Sequence, residues 1–179
     1  MVLCNNKNIY ERCLKIRNLF FKEPRFVHEE IGSNFRMTNM QAAIGLAQLE
    51  RIKKSIKRKR EIGNLYNKLL AKIECINLPI KKNFYSKNIY WVYGVLLNKK
   101  CKFTKKQIME KLKEHKIETR SFFFPMHKQP VFKKMGLFKG LKLKNSEHAY
   151  KYGFYLPSGI GITNKEIAYV CRVLNKIIN

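Results

Sequence analysis

Acidic residues are scarce in this sequence of 179 residues, which has 12 Asp and Glu against 38 Lys and Arg and a formal net charge of +26. Such an excess of cationic side chains favours anionic partners, namely nucleic acid, anionic membrane surfaces or phosphorylated ligands. The basic residues are spread along the whole chain, as compositional drift in a sequence rich in Lys, Asn and Ile would also place them. Because the basic residues are not confined to one segment, we favour compositional drift as the explanation of the net charge.

The sequence also lacks the patterns of several other protein classes. Its 5 cysteines are odd in number and form no Cys-x-x-Cys pair, so we expect reduced thiols and a cytoplasmic protein. The 4 histidines show no metal-ligand spacing, so no metal site is expected. No signal-peptide pattern and no apolar run long enough to cross a bilayer are present, so we expect no membrane partner.

What the chain does contain is typical of a globular protein. Its hydrophobic content of 45% argues against disorder. A length of 179 residues allows one ordinary domain, or one domain with part of another.

The segment Gly32–Leu49 is a loop that leads into a helix. Thr38 and Gln41 have the spacing of a capping box, in which each side chain accepts a hydrogen bond from the other residue's backbone N–H. The apolar spacing that follows predicts one long helix to about Ala71, with a bend at Gly63. Within this helix, residues 51–60 are mostly cationic. This cationic stretch is either a solvated helix surface or a site that binds nucleic acid. No aromatic residue is interleaved there for base stacking, which weakens the second explanation.

The N-terminal segment Met1–Cys4 has the composition of the end of a buried strand. Asn5 or Asn6 is then expected to cap a helix that reaches about Phe20. Residues 21–32 show no clear period and are predicted to form a loop.

From Ile89 onward the pattern predicts strand, helix, strand, loop, helix, strand and helix, which is a small α/β sandwich. Capping boxes are expected at Thr104 and Thr163, and Ser146 is expected to cap a short helix that carries Phe154. The predicted segments are a strand at 89–97, a helix ending near 115, a strand leading from 117 to 120, a break at Pro125, a strand ending at 156–159 and a last helix after 163.

Three stretches of the chain together resemble a known family. Asn34–Leu49 resembles the pattern Asn-x-Arg-Met-(Thr/Ser)-x-x-Gln-Ala-Ala-x-Gly-x-x-Gln-Leu of the DegT/DnrJ/EryC1/StrS family of pyridoxal-phosphate-dependent sugar aminotransferases. Thr119–Pro130 is similar to that family's Thr-Arg-x-x-(Phe/Tyr)-x-Pro-(Leu/Met)-His-x-Gln-Pro segment, and Leu156–Gly159 with the helix after Thr163 resembles its C-terminal ending.

The resemblance implies an α/β fold, the C-terminal part of a fold type I pyridoxal-phosphate-dependent transferase. Residues 1–37 would be the tail of the large cofactor-binding domain, 38–71 a long connecting helix, and 72–179 a small C-terminal α/β domain. An isolated chain of this kind would expose apolar surface and need a partner.

The family's reaction moves an amino group, usually from L-glutamate, to a keto group on a nucleotide-linked sugar. The resemblance implies that the lysine that forms a Schiff base with pyridoxal phosphate, and the carboxylate at the pyridine nitrogen, lie upstream of the matched region. That lysine precedes a Thr-x-Gly-x-Gly-Gly segment that these 179 residues do not contain. We therefore expect no catalytic residue here, no covalent hold on the cofactor and no activity of this chain alone.

The resemblance assigns supporting roles to four residues. Asn34 would reach the cofactor phosphate of a neighbouring subunit, and Arg36 would fix that loop or bind anions. Arg120 would pair with an anionic substrate group or brace its strand, and His127 would lie at the sugar site or be a structural histidine after the proline turn. The expected partners are a second copy in a homodimer or a separate N-terminal half. A non-catalytic basic module that binds nucleic acid or another polyanion, and an inert gene remnant, are the alternatives.

Overall fold

The computed structural model describes residues 2–178, and the chain divides into two compact units between Ile52 and Lys53. The predicted division at 37 and 71 stays a prediction. We describe the N-terminal unit, which ends at Ile52, and the C-terminal unit, which begins at Lys53, separately.

The N-terminal unit begins with a helix and a short hairpin. Helix α1 (Lys7–Arg17) is capped by Asn6, whose side chain accepts a hydrogen bond of 3.1 Å from the backbone N–H of Ile9. Strands β1 (Phe21–Lys22) and β2 (Val27–His28) pair antiparallel. The predicted loop at 21–32 therefore contains a hairpin, whose two-residue strands are too short to give a periodic pattern.

The predicted strand at Met1–Cys4 is not observed. Met1 lies outside the described residues, and residues 2–4 form no strand. Val2 and Leu3 are 75% and 86% exposed. Since a strand needs a hydrogen-bonded neighbour and no described strand pairs with this segment, the apolar composition alone does not produce one.

The single helix predicted from Thr38 is two helices, α2 (Asn39–Glu50) and α3 (Ile52–Leu70), separated at Arg51. The capping box of Thr38 and Gln41 is confirmed, with hydrogen bonds of 2.9 and 3.2 Å. Gly63 does not interrupt α3.

Gly63 has a packing role inside α3. A Cβ atom at this position would lie 2.3 Å from Cγ of the Tyr90 ring. The glycine therefore lets a buried aromatic ring pack directly against the helix backbone.

A four-stranded antiparallel sheet forms the centre of the C-terminal unit. Its strands are β3 (Ile76–Asn77), β4 (Tyr93–Leu97), β5 (Arg120–Ser121) and β6 (Gly153–Leu156), in the spatial order β3-β4-β6-β5. Tyr93 lies opposite Leu156, and Arg120 lies opposite Tyr155. The predicted order of elements is found with two differences: the strand predicted at 89–97 begins at Tyr93, and the predicted loop after β5 contains a 3₁₀ turn and a short helix. Strand β3 is an addition at one edge.

The helices of the C-terminal unit are α3, α4 (Lys105–Glu114), α5 (Pro130–Lys134), α6 (Lys144–Tyr152) and α7 (Asn164–Ile178), with a 3₁₀ turn at Met126–Lys128. The capping boxes at Thr104 and Thr163 are confirmed. The cap predicted at Ser146 is wrong, because α6 begins at Lys144 and the Ser146 hydroxyl donates to the Leu143 carbonyl. Phe154 belongs to β6 and not to this helix.

One hydrophobic core lies in the C-terminal unit, and it includes side chains of α3, α4, α7 and the sheet. Its fully enclosed members include Ile62, Tyr66, Tyr93, Ile108, Leu112, Phe154, Ile167 and Leu174. The fold is an α/β arrangement of helices with a small sheet. Among the described residues, no helix is both long and apolar enough to cross a membrane.

Candidate functional site

Asn34 lies in an extended segment that is attached to the end of α1. It forms an isolated antiparallel bridge with Asn18, the residue that follows the helix. Next to it, the backbone N–H of Ser33 donates a hydrogen bond of 2.9 Å to the carbonyl of Ile16. The position of Asn34 is thus fixed by backbone contacts and does not depend on its own side chain.

The side chain of Asn34 keeps its donor available. Its Oδ1 accepts a hydrogen bond of 3.3 Å from the backbone N–H of Arg36. Its Nδ2 donates to no atom of residues 2–178, and the residue is exposed. An exposed amide N–H₂ held by a rigid segment can donate to an anionic oxygen.

Arg36 contacts Asn18, the other residue of the same bridge. Its guanidinium donates to Oδ1 of Asn18, so the arginine holds the extended segment to the end of α1. Of the two roles expected for Arg36, this contact corresponds to fixing the loop. Sequence reasoning missed Asn18, and no local pattern signals it because the two residues are 18 positions apart.

An ion pair holds α1 to the β1–β2 hairpin. Arg12 donates to both carboxylate oxygens of Glu30, at 2.5 and 2.6 Å. This hydrogen bonding lowers the pKa of the Glu30 carboxyl. Both side chains are about half exposed, so the pair orients the hairpin more than it stabilises the fold.

Arg120 lies on β5, at the edge of the sheet. Its side chain is exposed, and its guanidinium forms no ion pair or hydrogen bond with the residues that the structure describes. The charge is therefore available to an anionic group from outside the described chain.

Aromatic side chains attach the segment after β5 to the sheet. The Phe122 ring lies 4.4 Å from the Tyr155 ring and packs over two glycines, Gly94 and Gly153. A Cβ atom at Gly153 would lie 2.2 Å from Cδ2 of Phe122, so only glycine allows this approach. Pro125 then precedes the 3₁₀ turn that carries His127.

His127 is buried, with 5% of its surface exposed. Its Nε2 donates a hydrogen bond of 2.9 Å to Oε1 of Glu147 on α6, and Nζ of Lys128 donates to Oε2 at 2.5 Å. The hydrogen bonds from Lys128 and then from His127 lower the pKa of the Glu147 carboxyl to about 2. The ionised carboxylate therefore ties the turn to α6.

Sequence reasoning did not identify Glu147. It lies 20 residues from His127, and a short polar helix offers no pattern that distinguishes one Glu as a partner. The structure thus supports the structural role considered for His127, while its assignment to a sugar site stays a prediction.

The four predicted residues fall into two groups. Asn34 and Arg36 are neighbours in the N-terminal unit, whereas Arg120 and His127 belong to the C-terminal unit.

A cavity of about 690 Å³ in the C-terminal unit is lined by neither Arg120 nor His127. Its lining comes from the segment that follows α4, from the loop between β6 and α7 and from the first turns of α7, including Glu118, Ser158 and Tyr169.

Comparison with known proteins identifies the family. The sequence profile of the DegT/DnrJ/EryC1/StrS aminotransferase family matches residues 1–175. The chain belongs to this family. The family membership and the fold inferred from the three sequence stretches are therefore confirmed.

Individual members cover the chain over nearly its full length. GDP-perosamine synthase of Escherichia coli O157:H7 is 33% identical over 98% of this chain, and that of Vibrio cholerae is 32% identical over 100%. The solved structure of Helicobacter pylori PseC, an aminotransferase of pseudoaminic acid biosynthesis, superposes with a TM-score of 0.81 at 21% identity and covers 97% of this chain. At that identity the likeness shows the fold alone.

The chain spans about half the length of the curated relatives it matches, with 46% of the E. coli protein and 48% of the V. cholerae protein covered. The share of PseC that is covered is 47%. The matched part is the C-terminal portion, as the motifs predict.

Proposed function

We propose that this chain is the C-terminal portion of a pyridoxal-phosphate-dependent aminotransferase that acts on a nucleotide-linked keto-sugar, with L-glutamate as the amino donor. Family membership and the similarity to two GDP-perosamine synthases support the substrate class. The observation that carries the proposal is the segment that ends in the capping box of α2, where Asn34 is rigidly held with a free amide donor.

Within this proposal, Asn34 binds the cofactor phosphate. Its Nδ2 donates to a phosphate oxygen, and Arg36 keeps the segment in place through Asn18. The residues present fit the group, because an exposed amide donor beside a guanidinium suits an anion. When bound, pyridoxal phosphate supplies the electron sink that amino transfer requires.

The lysine that reacts with the cofactor comes from outside this sequence. The Thr-x-Gly-x-Gly-Gly segment that follows this lysine in the family does not occur in the 179 residues. We propose that a second polypeptide segment, in a homodimer or as a separate N-terminal half, supplies it, and that this chain alone does not transaminate.

Arg120 and His127 have different roles in this proposal. Arg120 pairs with an anionic group of the substrate, since its guanidinium is exposed and forms no ion pair within the described residues. His127 holds the 3₁₀ turn through Glu147, and any contact with the sugar is made from that fixed position.

The first experiment is to sequence the coding DNA upstream of the Met1 codon and to co-express any segment that encodes a lysine followed by Thr-x-Gly-x-Gly-Gly. Amino transfer from L-glutamate to a panel of nucleotide-linked keto-sugars is then measured as formation of 2-oxoglutarate. We expect activity from the two parts together and none from either part alone. Absence of such a segment from the surrounding DNA, or an inactive complex, would contradict the proposal.

The role of Asn34 is tested in the same complex. We expect Asn34→Ala to weaken retention of pyridoxal phosphate by about 10- to 150-fold, because one hydrogen bond to a charged group contributes about 1.5–3 kcal/mol. The matched control is Asn39→Ala, an exposed asparagine five positions further along. Equal retention by the two variants would exclude Asn34 from the phosphate site.

A further inference from the structure

A strongly cationic groove lies in the C-terminal unit, between α3 and the segment that precedes β4. Its volume is about 660 Å³. Five cationic side chains line it: Lys53, Lys57, Arg60, Lys81 and Lys87. The first three are spaced by four and three residues, which places them on one face of α3.

The positive charge of this groove exceeds the negative charge that residues 2–178 place in its lining. Glu61 is its one acidic lining residue, and its carboxylate pairs with Arg58 at 3.5 Å. None of the five lining cations forms an ion pair with a carboxylate of residues 2–178. Like charges that converge on one groove repel each other, so an anionic ligand there is favoured.

The wall opposite α3 is a small hairpin with a defined shape. Lys82 and Lys87 form an antiparallel bridge across its stem. Oδ1 of Asn83 accepts hydrogen bonds from the backbone N–H and the hydroxyl of Ser86, at 2.7 and 2.9 Å. The turn is therefore held by its own side chains and is preformed before any ligand binds.

The stem of the hairpin is fixed to α3. Nε of Arg60 donates a hydrogen bond of 3.3 Å to the carbonyl of Asn88, and the buried Tyr90 ring packs on Gly63. Oδ1 of Asn88 accepts from the backbone N–H of Tyr90 at 2.7 Å. The two cationic walls of the groove thus keep a fixed separation.

Two aromatic residues form the tip of the hairpin. Phe84 and Tyr85 are 97% and 74% exposed, and their rings meet edge to face at 4.6 Å. The cationic stretch on α3 has no interleaved aromatic residue in the sequence, but the hairpin that contributes Lys81 and Lys87 to the groove lining also carries these two rings at its tip, outside the lining itself. Cationic grooves with adjacent exposed aromatic rings are typical of proteins that bind single-stranded nucleic acid.

We propose that this groove binds single-stranded nucleic acid, with the five cations along the phosphates and Phe84 or Tyr85 stacked on an unpaired base. A duplex fits less well, because its bases are already stacked and offer no free face to the hairpin tip. This function is independent of amino transfer and does not require the cofactor.

The test measures fluorescence anisotropy of a labelled 12-nucleotide oligo-dT with the complete 179-residue chain over a series of salt concentrations. Five phosphate contacts give a slope of log affinity against log salt of about −3.5. The variant Lys57→Gln/Lys87→Gln is expected to reduce the magnitude of that slope by about 1.4. The variant Phe84→Ala/Tyr85→Ala is expected to weaken binding about tenfold or more and to leave the slope unchanged.

A charge-matched control separates the groove from the high overall charge. Lys139 and Lys165 are exposed and line no part of this groove, so Lys139→Gln/Lys165→Gln removes the same charge elsewhere. We expect this control to bind as the unmodified chain does. If Lys57→Gln/Lys87→Gln fails to fold by circular dichroism, Lys53→Gln/Lys81→Gln replaces it.

Three results would overturn the proposal. The first is a reduction of the salt slope by the control that equals the reduction by the groove variant, which would show binding by overall charge only. The second is an aromatic variant that binds as tightly as the unmodified chain, and the third is a duplex of the same length that binds more tightly than oligo-dT. Each of these results excludes a site for single strands.

Discussion

At the scale of single residues, Gly63 makes the sharpest prediction about stability. A Cβ atom there would lie 2.3–2.6 Å from three atoms of the Tyr90 ring, and that ring is 2% exposed. In Gly63→Ala, overpacking against this ring is expected to lower the free energy of unfolding by about 1–3 kcal/mol. The higher helix propensity of Ala offsets ~1 kcal/mol of that loss. Urea denaturation followed by circular dichroism measures the net loss.

The matched control is Gly45, which lies in helix α2. Apart from its chain neighbours and the backbone of its own helix, no described atom lies within 4 Å of the position of a Cβ at Gly45, so Gly45→Ala is expected to be neutral or stabilising by about 0.4–1 kcal/mol. If both variants were stabilised equally, the close packing of Tyr90 on α3 would be refuted.

Glu147 predicts a dependence of stability on pH. The pKa of its carboxyl in the folded chain, about 2, lies below the ordinary value of 4.5, so the folded state binds this proton more weakly than the unfolded state does. Its contribution to stability is therefore complete above about pH 4.5 and is lost as the pH falls towards 2. The difference in free energy of unfolding between the unmodified chain and Glu147→Gln should shrink over that range.

Denaturant titrations at a series of pH values between 7 and 3 measure this difference. Lys128→Gln removes the partner whose hydrogen bond lowers the pKa of the Glu147 carboxyl most. The folded-state pKa in this variant should therefore lie closer to the unfolded-state value, and the stability that Glu147 contributes should be lost over a narrower pH range. A difference that grows as the pH falls would have the wrong sign and would contradict the ion pair.

At the scale of elements, the start of α4 depends on one side chain. Oγ1 of Thr104 accepts a hydrogen bond of 3.3 Å from the backbone N–H of Gln107, whose side chain accepts one of 2.9 Å in return. Thr104→Ala is expected to cost about 1 kcal/mol, whereas Thr104→Ser keeps the oxygen and should cost much less. Equal unfolding midpoints for the two variants would show that packing alone fixes α4.

Features of the structure that depend on residues close together in the sequence were predicted better than features that depend on residues far apart. The capping boxes at Thr38, Thr104 and Thr163 span four residues each, and all three were predicted and are confirmed. The end of α2 at Glu50 was missed, because the apolar and cationic pattern continues through Arg51 without a glycine or proline.

Contacts between distant segments were not predictable from local pattern. Strand β3 has two residues and exists because Ile76 pairs with Leu97, which lies 21 positions later. The same holds at the candidate site, where Asn18 and Glu147 are recognised only once the fold brings them to Arg36 and His127. Capping boxes with both partners in the sequence identify helix starts, whereas a lone Ser such as Ser146 does not, and pairing partners depend on the tertiary structure.

At the scale of the whole molecule, the hydrophobic core is distributed unevenly. Among the described residues, Phe20 is the one buried hydrophobic side chain of the N-terminal unit. Helix α2 has no buried residue, and Met40, Ile44 and Leu49 are 78%, 65% and 63% exposed. Exposed apolar surface on this scale is typical of a surface that a partner covers, which agrees with a chain spanning half of its relatives.

This distribution predicts the order in which a protease cuts the chain. Since burial of apolar surface supplies most of the free energy that keeps a segment folded, α2 should open at a lower cost than α3, α4 and α7. Because α2 itself contains no Lys or Arg, trypsin is expected to cleave first at its C-terminal end, after Arg51, and to leave a resistant fragment that carries the core of the C-terminal unit.

Limited proteolysis followed by mass spectrometry identifies the first cuts. Initial cleavage within α4 or α7, where Ile108, Leu112, Ile167 and Leu174 are fully enclosed, would contradict this order. If a second polypeptide segment supplies the missing lysine, the same digestion of the complex should protect the bond after Arg51, because covering the exposed apolar side chains of α2 stabilises that helix against local unfolding. Protection in the complex, absent from the isolated chain, would therefore place the partner's contact on α2.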